Sequence, residues 1–144
     1  MENTKKYWMA VVSKEHTMRG VTGGFMQVCH GKKAPLNRMK PNDWLIIYSP
    51  KMAMDGDLKC QAFTAIGQVA DQNVYQHQMS ENFIPFRRNV KFLDCEEVSI
   101  SPLIPDLEFI RNKQSWGYAF RFGFLEIGES DFELISKKMI KDGR

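Results

Sequence analysis

Apolar and polar positions along the chain fall into short runs with two different periods. Residues 7–12 are continuously apolar and rich in aromatic and β-branched side chains, which suits a strand covered on both faces. Ser13 follows and predicts an N-cap, because its side chain can accept from amides that a helix start leaves unpaired. Residues 14–19 then form a short helix closed by Gly20, since glycine tolerates the left-handed residue at a helix end. Residues 25–29 read as a short strand or an extended segment, and the basic, proline-interrupted stretch 31–38 as a loop with a helical turn. The clearest strand is 43–49. There Trp44, Ile46 and Tyr48 point one way and Leu45, Ile47 and Ser49 the other, and both sets are largely apolar. A turn around Asp55-Gly56-Asp57 leads into a β-rich run at 60–69, where Gly67 marks a bulge.

Farther on, residues 86–93 alternate, with Phe86, Arg88, Val90 and Phe92 on one face and Arg87, Asn89, Lys91 and Leu93 on the other. Ser101-Pro102 opens a helical turn that Pro105 ends or redirects. The aromatic run 116–127 predicts a long strand. Residues 131–140 predict a closing helix, announced by a capping box of Ser130 with Glu133 and turning Phe132, Ile135 and Met139 to the core. Five or six strands, short helices near both ends and no regular β-α-β alternation define an α+β fold, a small mixed-sheet barrel. Neither GxGxxG nor a Walker loop is present, which disfavours a doubly wound nucleotide fold. No repeat or linker divides residues 1–144, so one domain is expected.

Hydrophobic residues make up 43% of the chain and charged residues 26%, the balance of a soluble globule rather than of a disordered tail. No apolar run approaches the roughly 20 residues of a membrane span, and the charged start lacks the apolar segment of a signal peptide, so the expected address is the cytoplasm. Cys29, Cys60 and Cys95 include no CxxC pair, which argues against a disulfide framework and a cysteine-rich zinc site. A metal site from His16, Cys29, His30 and His77 would need scattered ligands to converge, and no cofactor is expected. The net charge of +3 is compatible with a polyanionic partner without requiring one.

Through Phe25-Met26-Gln27-Val28-Cys29-His30-Gly31-Lys32 and then Asp43-Trp44 to Tyr48-Ser49-Pro50, the sequence resembles the EVE domain of the PUA-like superfamily. The resemblance starts at Tyr7-Trp8 and continues through Ser13-Lys14-Glu15-His16, Gly24-Phe25, Ala62-Phe63-Thr64-Ala65-Ile66-Gly67, Arg87-Arg88, Trp116-Gly117 and Arg121. It ends in the Asp131-Phe132 helix and so covers nearly the whole chain. It implies a strongly curved, barrel-like sheet flanked by helices, related to the YTH readers of methylated adenine in RNA, and a pocket that holds a modified base. Such a pocket needs a flat aromatic wall, polar groups for the base edge and positive charge for phosphate.

Candidates exist for all three. Trp116, beside Gly117, either stacks on a base or packs in the core; Trp8 and Trp44, inside apolar strands, suit packing better. Tyr48 and Ser49 end a strand before Pro50, so their hydroxyls face either the pocket or a loop. Ser13 binds a base edge or simply caps its helix, and His16 is either a ligand contact or a surface imidazole. Phe25, Gln27 and His30 together offer an apolar face, an amide and an imidazole. Lys32, Lys33, Arg38 and Lys40 form a basic stretch for phosphates. Arg87 and Arg88 form a second, of which only one can easily serve, because strand neighbours point oppositely. Arg121 either lines the pocket or sits in a buried hydrogen-bonded network. Since the segments around Ser13, 25–32, Tyr48-Ser49 and Trp116 each lie at a strand end, these four should converge on one concave site, with Trp116 on the same side of the sheet as Gln27. The same alternation is poor geometry for a Cys29-His30 nucleophile pair. The expected function is noncatalytic recognition of a nucleic acid, RNA or DNA, carrying a modified base. The alternative is a sensor or enzyme that uses the pocket for a nucleoside-like metabolite, and a protein-interaction module would instead show a flat apolar patch.

Overall fold

The computed structural model describes residues 5–140. In chain order its elements are β1 (Tyr7–Val11), α1 (Lys14–Gly23), β2 (Phe25–Met26), α2 (Lys33–Asn37), β3 (Trp44–Lys51), β4 (Lys59–Gln76), β5 (Phe86–Phe92), β6 (Val98–Ser99), β7 (Phe124–Ile127) and α3 (Glu129–Met139). Three 3-10 turns, Cys29–Gly31, Ser101–Asp106 and Trp116–Phe120, fill the connections. The strands form one mixed sheet in the order β2, β5, β4, β3, β1, β7, with β6 paired to β4. β1 and β3 run parallel and the remaining pairs antiparallel. This is the α+β arrangement of a mixed sheet with short helices that was expected. The barrel description fits loosely, because β2 and β7 end the sheet and do not pair with each other among the described residues.

The central strands are apolar on both faces because both faces are covered. Met9, Ile46, Tyr48, Phe63 and Ile66 join Phe120, Phe132, Ile135 and Met139 under α3 and the two later 3-10 turns. On the other face Trp8, Ala10, Leu45, Ile47 and Val90 join Met26, Val28 and Leu36, with α1 and α2 alongside. Two buried carboxylates tie loops to this frame. Asp43 accepts from Trp8 Nε1 at 2.9 Å and from the Lys6 and Lys40 amides at 3.1 and 2.9 Å. Asp131 accepts from the Glu108 and Phe109 amides, both at 2.8 Å. Several donors per carboxylate offset the cost of burying its charge.

Four expectations change. α1 runs past Gly20 to Gly23, and it is Gly24, at φ 77°, that supplies the left-handed cap and returns its amide to the Gly20 carbonyl at 2.7 Å. Gly20 is needed for another reason, since a Cβ there would collide with the Phe25 carbonyl. The long strand at 116–127 is replaced by the Trp116–Phe120 turn and the short β7, separated by Gly123 at φ 77°. The capping box does not form, because α3 begins at Glu129 behind Gly128 and Ser130 is already inside the helix. Finally, the sheet bulges at Thr64, skipped between the pairs Tyr48–Phe63 and Ile47–Ala65, and again across residues 70–73. Gly67 instead lets β5 approach, its absent Cβ leaving room for the Lys91 carbonyl and for Phe92 Cα, which would lie 2.9 Å away.

Candidate nucleic-acid interface

The end of β1 and the start of α1 face the turn that follows β2. Between them opens a hollow of about 180 Å3, lined by Ser13, His16, Gln27 and His30, with Val12, Val28 and Cys29, and by Met54 and Phe83 from loops. Its volume slightly exceeds the roughly 150 Å3 that accommodates one benzene ring, so a single planar heterocycle is the natural measure of its capacity. The chain turns sharply at its rim, where Cys29, His30 and Gly31 are left-handed in succession at φ 53°, 60° and 79°. For Cys and His that conformation is strained, and such strain persists where surrounding contacts fix it. One of those contacts is Gly31 against Pro85, so close that no Cβ would fit, which holds the β4–β5 hairpin and its Phe83 against the hollow.

A polar chain runs along its inner side. Arg87 Nε donates to Gln27 Oε1 at 2.6 Å, so Nε2 is the donor end of that amide, and it lies 3.0 Å from His16 Nε2. An amide NH2 can only donate, so His16 accepts through Nε2 and carries its proton on Nδ1. Burial pushes the His16 pKa below the ordinary histidine value, the Arg19 and Arg87 charges add to the shift and Glu15 opposes it, which keeps the ring neutral at pH 7. Arg87 is held in turn by Phe25, whose ring centroid lies 3.7 Å from the guanidinium carbon. Ser13 accepts from the His16 amide at 3.4 Å, so it caps α1 and lines the hollow at once.

Ser13, His16, Gln27 and His30 thus share one hollow, with Phe25 just behind it in a small cleft beside His16 and Gln27. The other expected pocket residues lie elsewhere. Tyr48 is buried, stacked on Phe120 at 4.2 Å, and Ser49 is buried with its hydroxyl 2.7 Å from Thr64 Oγ1. Trp116 packs on the α3 side of the sheet, edge-on to Tyr48 and Phe120, whereas Gln27 lies between Met26 and Val28 of the opposite core. The single convergent site expected from strand ends is therefore corrected to two hollows. The second, about 380 Å3, is lined by Tyr48, Pro50, Gln61, Trp116, Phe120 and Arg121, and Val11 borders both. Arg121 is exposed rather than buried.

The basic residues also divide. Lys32 and Lys33 are exposed directly after the hollow's Gly31, and Lys33 lies over Phe86 at 5.6 Å. Arg38 is exposed above the stacked Trp8 and Phe124 rings, 5.1 and 5.5 Å from their centroids. Arg88 is corrected to a structural role. It is buried, and its guanidinium donates to the Leu36, Met39 and Asp71 carbonyls at 2.6 to 3.0 Å, which leaves it unavailable to a phosphate. Sequence reasoning missed Met54 and Phe83, because their loops also carry Met52, Ala53 and Leu58 or Met79 and Ile84, and nothing local singles them out from these apolar neighbours. Among the described residues no three His, Cys, Asp or Glu side chains gather to hold a metal, and the cysteines are free thiols.

The EVE domain family profile matches residues 6–138. The UPF0310 protein in the gntR 5′ region of Bacillus licheniformis is 52% identical over 139 residues, covering 96% of this chain and 95% of its own. The UPF0310 protein YdcG of Bacillus subtilis is 44% identical over 133 residues, covering 92% of this chain and 91% of its own. Among solved structures, the N-terminal domain of Staphylothermus marinus McrB superposes with a TM-score of 0.56 at 12% identity, over 93% of this chain and 94% of that one. A hypothetical protein from Leishmania major does so at 0.58 with 11% identity, over 92% of each chain. Those two share the fold, and the sequence relatives share the pattern along nearly all of it: the chain belongs to the EVE domain family.

Proposed function

We propose that this EVE domain is a noncatalytic nucleic-acid reader that takes one modified base into the hollow beside His16 and Gln27. The observation that carries this reading is the chain Arg87–Gln27–His16, which fixes donor and acceptor positions beside a space sized for one ring. Polar groups locked in one orientation can read a base edge, because a base with the wrong pattern leaves them unpaired. The apolar walls from Val12, Val28, Met54 and Phe83 suit an added alkyl group, for which a pocket of this kind supplies about 1–3 kcal/mol of discrimination. Lys32 and Lys33 stand next to the turn that borders the hollow and would meet phosphate. Burial raises the Cys29 pKa, with Lys32 only partly opposing, and the thiol donates to the Phe122 carbonyl at 3.5 Å; a protonated, engaged thiol suits recognition better than nucleophilic chemistry.

The test combines mass spectrometry of nucleosides copurifying from cells with titrations of the oligonucleotides so identified. Gln27→Ala should reduce the preference for the modified base about tenfold while leaving the salt dependence unchanged. Lys32→Ala should weaken modified and plain strands alike and lower the salt slope by about 0.7–0.9. Binding of a free nucleoside that is indifferent to salt would favour the metabolite-sensor reading instead, and a preference untouched by Gln27→Ala would remove the hollow from the account.

A further inference from the structure

The turn between Trp116 and β7 exposes aromatic surface that the fold does not use. Tyr118 is 66% exposed and Phe122 73%, and neither belongs to a core cluster. Between them lies Arg121, its guanidinium carbon 3.8 Å from the Tyr118 ring centroid and 4.4 Å from that of Phe122. Arg121 Nη1 donates to the Tyr118 carbonyl at 2.9 Å, which fixes the plane of the group. The 3-10 turn and the right-handed helical backbone of Arg121 that caps it create this arrangement by bringing residues three and four apart onto one face.

Three observations identify what fits there. First, the stack alternates π faces with a cationic plane, the composition that attracts unpaired bases rather than an apolar protein surface. Second, the chain from Phe109 to Leu125 contains Arg111, Lys113 and Arg121 and no acidic residue. Arg111 and Arg121 both line a cleft of about 450 Å3 with Trp116 and Tyr118, and among the described residues neither is in a salt bridge. Third, the stack adjoins the hollow: Cys29, in the hollow's wall, donates through Sγ to the Phe122 carbonyl.

We infer that Tyr118, Arg121 and Phe122 form a stacking platform for unpaired bases of a nucleic-acid strand, with Arg111 beside its phosphates. The inference extends the proposed reading by giving the strand that enters the hollow a second foothold, but it is tested without a modified base. The probe is a fluorescein-labelled, unmodified single strand of about a dozen nucleotides, as DNA and as RNA, with the matching duplex DNA as a third arm. Replacing both rings, Tyr118→Ala with Phe122→Ala, should weaken single-strand binding by tenfold or more. Duplex affinity should stay unchanged, because paired bases offer no free faces, and so should the melting temperature, because both rings are exposed. Arg121→Lys keeps the charge but loses the plane, so it should weaken single strands while preserving the salt slope. The probe carries no modified base, so the preference for a modified base that tests the hollow and the single-strand affinity that tests the platform are separate readouts, and failure of the one is distinguished from failure of the other. The platform is overturned if the double variant binds single strands within about twofold of the parent, if it loses duplex binding equally, or if the parent binds no single strand at low salt. The DNA and RNA arms, both supportive when weakened, show which strand it holds.

Discussion

Two arginines that follow each other in β5 carry the same charge into different surroundings. Arg87 leans on Phe25 and orients Gln27 beside the hollow, whereas Arg88 turns into the protein and supplies donors to three main-chain carbonyls. Burial lowers the pKa of both, and for Arg88 the Asp71 and Asp43 charges partly restore it, yet an arginine stays charged at neutral pH. Alternation along the strand says that the pair diverges but not which member is buried, because the deciding carbonyls of Leu36, Met39 and Asp71 are remote in sequence. Arg88→Ala should therefore act on stability rather than on phosphate binding. Orphaning those carbonyls should cost at least about 3 kcal/mol, read as a lower urea midpoint, while the folded fraction keeps the parent's salt slope for oligonucleotides. A reduced salt slope with an unchanged midpoint would return Arg88 to the phosphate-binding set.

At the level of elements, what was legible in the sequence is what local composition decides. β1 and β3 are visible as apolar on both faces, and the turn into α1 is visible in Ser13, because those signals do not depend on distant partners. The run 116–127 misleads because Phe120 and Phe122 look alike in sequence, although one is buried on Tyr48 and the other stands in water, and the left-handed Gly123 between them and β7 breaks the strand. Four members of the candidate site, Ser13, His16, Gln27 and His30, were legible for the same local reason. Trp116 was misplaced because the face it occupies is set by packing across the sheet. The glycines make the distinction measurable. Gly24→Ala meets only the Val90 carbonyl at an ordinary 3.8 Å, so its cost is the left-handed backbone alone, about 1 kcal/mol, and Gly24→Asn should cost less. Gly67→Ala places a methyl group into the β5 backbone and should cost about 3 kcal/mol or more. Urea unfolding of the three variants checks the order; equal losses at Gly24 and Gly67 would contradict the close approach of β4 and β5.

For the whole molecule, the sheet separates a hollow on the α1 side from aromatic surface on the α3 side, and the two meet where β1 ends, with Val11 bordering both hollows and Cys29 joined to Phe122. The α1 side also makes stability depend on pH through His16. Its folded pKa is lowered, chiefly by burial and then by Arg19 and Arg87, so between the folded and unfolded values the unfolded chain binds more protons. The stabilisation is fully present above the unfolded value of about 6.5 and is lost as pH falls from there through the folded value. The cause is geometric as well as electrostatic: a protonated His16 would turn an N–H toward Gln27 Nε2, donor against donor, and Arg87 prevents the amide from reversing. Carboxylates titrate mostly below about pH 5, so a comparison of about pH 8 with about pH 5.5 isolates this group from them. Over that interval the urea midpoint of the parent should fall more than that of His16→Asn, which cannot titrate. Equal falls in the two proteins would mean that His16 is not held neutral by Gln27 and that the polar chain beside the hollow is not fixed as described.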